Sequence, residues 1–278
     1  MPIRTAYMPL STYPEPMDDR AILTAARFAE ALGCRLHVKA FCADIPNVYS
    51  PLGGMLLDVP GMIRTLEERS RSESDRLKKL LEGSAQSASS VHFTSREVAL
   101  GAAQDTAAAE ARYYDLAILP WSGDIASGQE MSEAVVFGSG RPAILVPPSA
   151  RPASLTHIAI AWDESRVAAR ALGDALSLLP EGGRVSVLTV NDEKPLKKGD
   201  IATSLAASLE TRGYKAKPRG ISLAGNTISD ALQAAAIAEG AQLLAMGGFG
   251  HSRLRDFVLG GATQGVLENL SLPVLLSH

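Results

Sequence analysis

The chain is poor in cysteine and in long apolar runs. Cys34 and Cys42 are its only cysteines among 278 residues, and their spacing matches neither a redox pair nor a metal site. This scarcity argues against a disulfide-stabilised secreted scaffold and favours a reduced compartment. No apolar run approaches the roughly 20 residues that a transmembrane helix needs. Residues 1–10 are too polar and too proline-rich for a secretory signal, so we expect a soluble, cytoplasmic protein that does not enter membranes.

The charge balance lacks an excess of either sign. The formal net charge is -3 at pH 7, from 27 Lys and Arg against 30 Asp and Glu. No block of basic residues compensates, and therefore we expect no nucleic-acid binding. The residues His37, His92, His157 and His278 have no metal-ligand spacing, so we expect no metal site. The hydrophobic content of 46% is ordinary for a globular protein, and the length allows two domains.

Short apolar runs alternate with helical patterns along the whole chain. The predicted strands of the first half lie at 5–10, 36–41, 91–98, 116–119 and 142–146. After a restart at His157, the predicted strands lie at 158–162, 185–190, 215–223, 243–246 and 273–277. Pro218 favours an edge position for the strand that contains it. This alternation predicts parallel sheets covered by helices on both faces, one in each half.

Two kinds of local signal lie between these strands. The segment 45–62 is apolar and rich in Gly and Pro, and it is predicted to be a loop that forms a lid or an interface, or that packs on its own domain. Residues 63–81 are predicted to be a charged helix. Asp18 or Asp19 is the predicted cap of the first helix, and Asn226 that of the last helix before residue 239.

The two halves resemble each other in sequence. Pro147, Pro148 and Pro152 predict a linker between domains 1–148 and 154–278. Residues 115–123 align with 242–250 without a gap, and 142–146 align with 273–277, which indicates an internal duplication. The first copy has Pro120 where the second has Gly247, and it lacks an acidic residue at the end of its first strand. We therefore predict that the first copy has lost a ligand site that the second retains.

Glycines follow the fourth strand of the second half. Gly247 and Gly250 are followed, after nine further residues, by Gly260 and Gly261, and a helical pattern begins at Val266. Glycines let the backbone turn sharply and approach a ligand closely. The amino end of a helix adds unpaired N–H groups and the positive end of a dipole. Together these features predict a site for an anion such as phosphate, although the glycines could also make only a tight connection.

The pattern Gly247-x-x-Gly250, nine residues and Gly260, preceded by Met246, resembles the nucleotide-binding motif of the universal stress protein family in its tandem two-domain form. The resemblance covers 154–278 closely and 1–150 more weakly. It implies an α/β fold of two doubly wound domains, each with a five-stranded parallel sheet of order 3-2-1-4-5. It also implies that the last strands, 143–146 and 274–276, lie at an interface between domains or between subunits.

The resemblance further implies that ATP, with or without magnesium, binds across the ends of strands one and four of the second half. Ala161 and Asp163 lie at the end of strand one, and Asp163 would contact the ribose or the adenine. Val190 would meet the base through its backbone, while Met246 and Gly247 would line the nucleoside pocket. The residues expected around the phosphates are Gly250, Gly260, Gly261, Ala262 and Thr263. In a doubly wound sheet ligands bind where the strand order reverses, and these strands meet there.

One position departs from the family motif. Gly261 stands where the family has Ser or Thr. A lost hydroxyl bond to a charged phosphate costs about 1.5–3 kcal/mol, which is on the order of tenfold to a hundredfold in affinity. The backbone donor remains, and Thr263 supplies a hydroxyl two residues later. Weak ATP binding, a different ligand and no ligand all stay open.

Three functions are compatible with these residues. The first is a stress-related regulatory protein that binds ATP in its second half, with the first half as a structural partner. The second is a slow nucleotide hydrolase, but the chain has no Walker A motif, no Rossmann fingerprint and no nucleophile elbow. No general base is placed against the phosphates, so we expect little or no turnover. The third is a ligand-free scaffold built by pairing the two halves.

Overall fold

The structure is a computed structural model that describes residues 3–46, 58–84, 91–123, 125–191, 200–248, 265–266 and 268–278. The first half alternates strands and helices in the predicted way. Its elements are β1 (Thr5–Ser11), α1 (Asp19–Ala31), β2 (Arg35–Asp44), α2 (Val59–Ser84), β3 (Val91–Ala99), α3 (Ala103–Ala111), β4 (Leu116–Pro120), α4 (Ala126–Gly138) and β5 (Ala143–Val146).

The second half repeats this alternation. Its elements are β6 (His157–Ala161), α5 (Arg166–Leu176), β7 (Arg184–Val190), α6 (Ile201–Thr211), β8 (Lys215–Ile221), α7 (Ile228–Ala238), β9 (Leu243–Gly247) and β10 (Val274–Ser277). Gly265, Val266 and Glu268 are also helical. None of the described helices combines the length and the apolar character that crossing a bilayer requires.

The described strands form one sheet in the order β3-β2-β1-β4-β5-β10-β9-β6-β7-β8. Within each half the neighbouring strands are parallel, and each half read from its own first strand has the order 3-2-1-4-5. The predicted α/β fold with helices on both faces is confirmed. The structure adds that the two sheets are continuous, because β5 and β10 pair antiparallel with Ile144 opposite Leu275.

The burial of the strands follows their place in the sheet. The central strands β4, β5 and β10 are buried at every position, as expected for strands covered on both faces. The edge strands β3 and β8 expose most of their residues. Pro218 lies in β8, so the predicted edge position is confirmed. Two apolar cores lie on opposite faces of the sheet, and each contains residues from both halves.

The structure corrects two predicted helix starts. Thr227 caps α7, because its Oγ1 accepts the Asp230 N–H at 3.1 Å. Asn226, the predicted cap, instead donates from its side chain to the Leu223 carbonyl at 3.1 Å and closes the preceding turn. Helix α2 begins at Val59, so residues 59–62 are helical rather than part of a loop. Asp58 allows this early start by accepting the Gly61 N–H at 3.0 Å.

Two local predictions remain, the cap of α1 and the apolar loop after β2, and only the first lies wholly within the described residues. Asp18 is the cap of α1, because its Oδ2 accepts the Ala21 N–H at 2.9 Å. Residues 47–57, the main part of the predicted apolar loop, lie outside the described residues. The predicted lid or interface role of that loop therefore stays a prediction.

Polar contacts reinforce the junction between the halves. The guanidinium of Arg170 on α5 donates to the Gly140 carbonyl of the first half at 2.6 Å. Arg4, before β1, donates to the Ser177 carbonyl at the end of α5. These contacts tie α5 to the first half near the place where β5 meets β10, so the pairing predicted for 143–146 and 274–276 is an intrachain one.

We expect Leu275→Ala to lower the free energy of unfolding by about 2–5 kcal/mol, because it leaves a cavity at the centre of the junction. Leu275 has no exposed surface, and it faces Ile144 across the β5–β10 pair. Urea denaturation followed by circular dichroism measures the change. The control Ile237→Ala, at a side chain that is 51% exposed, should change stability by less than about 0.5 kcal/mol. Equal losses in both variants would contradict the central role of the junction.

His157 should make the fold less stable in mild acid. Its ring is buried at the start of β6, with Nε2 2.9 Å from Ser186 Oγ. Burial, with a smaller effect of the Arg184 charge, lowers the pKa of His157 below its ordinary value of 6.5. The unfolded chain therefore takes up a proton that the folded chain refuses, so stability falls as the pH drops below about 6.5.

The variant His157→Gln tests this effect, because glutamine has no proton to gain. Denaturation curves between about pH 7 and pH 5.5 should show a smaller loss of stability in the variant than in the wild type. Parallel curves for the two proteins would contradict the assignment of the effect to His157.

Candidate functional site

The strand order of the second half reverses between β6 and β9, and the carboxyl ends of both strands lie at the same edge of the sheet. Ile160 of β6 pairs with Ala245 of β9, so Ala161 and Met246 follow next to each other in register. Val190 ends β7, the strand on the other side of β6. Three of the predicted site residues thus share one edge of the sheet, at the point where doubly wound folds bind ligands.

Asp163 lies in the turn that joins β6 to α5. Its Oδ1 accepts the Ser165 N–H at 2.9 Å, and Ser165 Oγ in turn accepts the Ala168 N–H at 3.1 Å. Ser165 is therefore the helix cap, and Asp163 orients the turn before it. Glu164 between them has a φ of 60°, a left-handed conformation that costs energy in a residue other than glycine. This turn holds the exposed Asp163 beside the amino end of α5.

Gly247 packs against the same helix end. A Cβ added to Gly247 would lie 2.6 Å from Val167 Cγ2 and 2.8 Å from the backbone nitrogen of Ala168. Both distances are too short for a real side chain, so glycine is required here for close packing of β9 against α5. Asp163 and Gly247 are more than eighty residues apart in sequence, and both lie at the amino end of α5, Asp163 at its cap and Gly247 on its first turn.

Charges of both signs meet at this edge, because the exposed carboxylates Asp163 and Glu164 stand directly before the amino end of α5. The first turn of α5 carries no acidic residue, and its backbone N–H groups form the positive end of an 11-residue helix. Ala161, Val190 and Gly247 are half-buried, whereas Met246 is buried in the core. The predicted phosphate residues Gly250, Gly260, Gly261, Ala262 and Thr263 lie outside the described residues. The roles assigned to all ten site residues therefore stay predictions.

A buried amide fixes the chain where it leaves the glycine-rich segment. Gln233 of α7 donates from Nε2 to the Asn269 carbonyl at 2.7 Å, and its Oε1 accepts the Ser271 N–H at 2.8 Å. Gly265 lies so close to α7 that an added Cβ would be 2.7 Å from Ser229 Cβ. The sequence analysis missed Gln233, because a single glutamine among the alanines of a helix carries no recognisable signal.

The corresponding edge of the first half is occupied by protein atoms. Met17 approaches α4 so closely that a Cβ on Gly128 would lie 2.4 Å from Met17 Cε. Ser127 Oγ donates to the Glu15 carbonyl at 3.0 Å and holds the segment that carries Met17. The recess left between β1, β4 and α4 has a volume of only about 20 Å³, room for about one water molecule, and is lined partly by Met131.

Two other kinds of site, a metal site and a reactive cysteine, find no support among the described residues. Within the described ranges, no group of three or more His, Cys, Asp or Glu side chains is placed to hold a metal ion. The two cysteines are buried, and burial raises the pKa of the Cys34 thiol to about 11, so that it stays protonated. A raised pKa makes a thiol a poor nucleophile at neutral pH.

Residues 154–278 match the family model described as the universal stress protein family. A search of curated proteins finds no match to the chain. A solved universal stress protein from Archaeoglobus fulgidus DSM 4304 aligns over 99% of this chain and 96% of its own, at 17% identity and a TM-score of 0.68. The universal stress protein UspA from Lactobacillus plantarum aligns over 45% of this chain and 98% of its own, at 14% identity and a TM-score of 0.33. The likeness to the Archaeoglobus protein shows a shared fold across both halves.

The packing of Gly247 on α5 generates a stability prediction. Gly247→Ala should destabilise the fold by about 1–3 kcal/mol, because the new methyl group overlaps Val167 and forces β9 and α5 apart. Gly173→Ala on the same helix is the matched control, since a Cβ there meets no atom within 4 Å. The control should be neutral or stabilising by up to about 1 kcal/mol. The midpoint of thermal unfolding, measured for both variants, tests this prediction. An unchanged midpoint in Gly247→Ala would contradict the close contact.

Proposed function

We propose, from the match of residues 154–278 to the universal stress protein family model, that this protein is a stress-related regulatory protein that binds an adenine nucleotide, ATP, in its second half. The ligand lies across the carboxyl ends of β6 and β9. The first half acts as a structural partner rather than as a second nucleotide site. Little or no turnover of ATP is expected.

The proposal is supported most directly by the convergence of two predicted site residues at one helix end. Asp163 and Gly247 are paired by family resemblance, and both lie at the amino end of α5: Asp163 bonds to its cap Ser165, and Gly247 packs on its first turn. That turn lies at the reversal of strand order between β6 and β9, where an open α/β sheet has a crevice. The helix end supplies backbone donors and a positive dipole at the same place. The proposed partners of the ribose and the base therefore lie within one short stretch of the sheet edge, next to the backbone donors of α5.

The proposed contacts follow the motif. Asp163 binds the ribose or the adenine, and the half-buried Val190 and Ala161 border the base. Met246 and Gly247 form the wall of the nucleoside pocket. The phosphates are assigned to the backbone of Gly250, Gly260 and Gly261, followed by Ala262 and Thr263. Gly261 in place of a hydroxyl residue leaves the affinity on the order of tenfold to a hundredfold weaker than a full motif would give.

A ligand-free scaffold is the second candidate, and a specific contact favours it. The tight fit of Gly247 against Val167 and Ala168 explains that glycine without any ligand. The continuous sheet through β5 and β10 likewise gives the duplication a structural purpose. The nine-residue spacing between Gly250 and Gly260 has no explanation under this candidate, so we rank it second.

Calorimetric titration with ATP and magnesium tests the proposal. The wild type should bind, while Asp163→Ala and Gly250→Val should bind at least about tenfold more weakly, a loss of about 1.4 kcal/mol. Asp44→Ala is the matched control, because Asp44 is an exposed aspartate at the carboxyl end of β2 in the other half. It should bind ATP as the wild type does.

The outcomes separate the candidates. Binding by the wild type with equal affinity in Asp163→Ala and Gly250→Val would refute the assigned pocket. No binding by the wild type, together with no nucleotide in mass spectra of the denatured purified protein, would favour the scaffold. Release of phosphate from ATP at a rate that Asp163→Ala abolishes would make the protein a hydrolase instead.

A further inference from the structure

Two contacts between the halves lie on either side of the segment that contains the predicted phosphate glycines. On the amino side, Gly248 follows β9, and a Cβ there would lie 3.4 Å from Phe137 Cε1 of α4. On the carboxyl side, a Cβ on Gly123 of the first half would lie 3.6 Å from the Glu268 carbonyl oxygen. The first half therefore comes within the reach of one methyl group of the second half at Gly248 and at Glu268, on either side of that segment.

These two contacts are related by the duplication. In the alignment of 142–146 with 273–277, Glu268 occupies the place of Phe137, and Gly123 aligns with Gly250. In each half, the end of the helix before the last strand therefore reaches the turn after the fourth strand of the other half. The contact is reciprocal, but the residues differ, because the first half contributes an aromatic ring and the second a backbone carbonyl.

Phe137 lies beside the turn that contains Gly248 of the other half. Its ring stands edge-on to the ring of His278, with centroids 5.8 Å apart and planes at 90°. The N–H of Gly248 donates to the Ser277 carbonyl at 2.8 Å, directly beside this aromatic pair. Gly248 is buried, whereas Gly247 before it is half-buried at the predicted nucleoside pocket. The ring thus lies near Gly248, whose hydrogen bond to Ser277 holds the end of β9 to the end of β10.

We infer that Phe137 of the first half is a positioning residue for the nucleotide site of the second half. It acts through Gly248, whose backbone follows Met246 and Gly247 of the predicted nucleoside pocket: the ring next to Gly248 holds these residues in place and so affects the affinity for ATP. This inference rests on the proposed function. It gives the first half a role in ligand binding, although its own crevice is occupied by Met17.

The test compares Phe137→Ala with two other variants in the full chain. Phe93→Ala is the matched control, because Phe93 is also a half-buried phenylalanine of the first half but lies on the edge strand β3. Phe137→Leu keeps an apolar side chain of similar reach. In ATP titrations, Phe137→Ala should bind about two- to thirtyfold more weakly than the wild type. Phe93→Ala should bind as the wild type does, and Phe137→Leu should recover most of the loss.

A second readout needs no ligand. Hydrogen exchange of the Gly248 amide should be faster in Phe137→Ala than in the wild type and unchanged in Phe93→Ala. Equal exchange in all three proteins would overturn the positioning role, as would wild-type affinity for ATP in Phe137→Ala. Equal weakening by Phe93→Ala would attribute the effect to general loss of stability and overturn it too. If the wild type binds no ATP, the proposed function fails, and the exchange of Gly248 still decides whether Phe137 holds the turn.

Discussion

The antiparallel pairing of β5 with β10 is the interaction on which the rest of the molecule depends. Both strands are four residues long and fully buried, and their side chains reach the cores on both faces of the sheet. Separated, each half would expose an edge composed almost entirely of aliphatic residues, which is a template for aggregation. The pairing removes both edges at once. The strands that remain at the outside, β3 and β8, are mostly exposed and carry charged residues.

The same junction brings the candidate site and the first half together. Because β10 lies between β5 and β9, the first half is only one strand away from the strand that carries Met246 and Gly247. Helix α5 is held to the first half by Arg170, and its first turn packs on Gly247. A site at the end of β9 therefore has one wall from its own half and a support from the other.

Much of this architecture could be predicted from the order of apolar runs. The alternation of short strands with helices, the edge position of Pro218 and the role of Asp18 follow from local chemistry and agree with the structure. The start of α7 was predicted one residue early, because Asn and Thr both cap helices and the choice depends on the turn formed by Leu223. The start of α2 was predicted late, because glycine and proline near Asp58 hid a capped helix.

The candidate site was less predictable than the fold. The motif located Asp163 and Gly247, and the topology that brings them together follows from the strand order. The reason why residue 247 must be glycine did not follow, because it depends on the distance between β9 and α5. Gln233 and Phe137 could not be found from the sequence either. Each acts through contacts between elements far apart in the chain, and nothing in the local pattern distinguishes them from ordinary helix residues.

The antiparallel junction also fixes how the two copies are oriented. Strands within a half run the same way, and the two halves run in opposite directions, so their ligand edges face away from each other across the sheet. A change at one edge therefore does not obstruct the other. Met17 could come to occupy the first crevice without any steric consequence for the second. This geometry allows the two halves to differ at their carboxyl edges while they share one sheet.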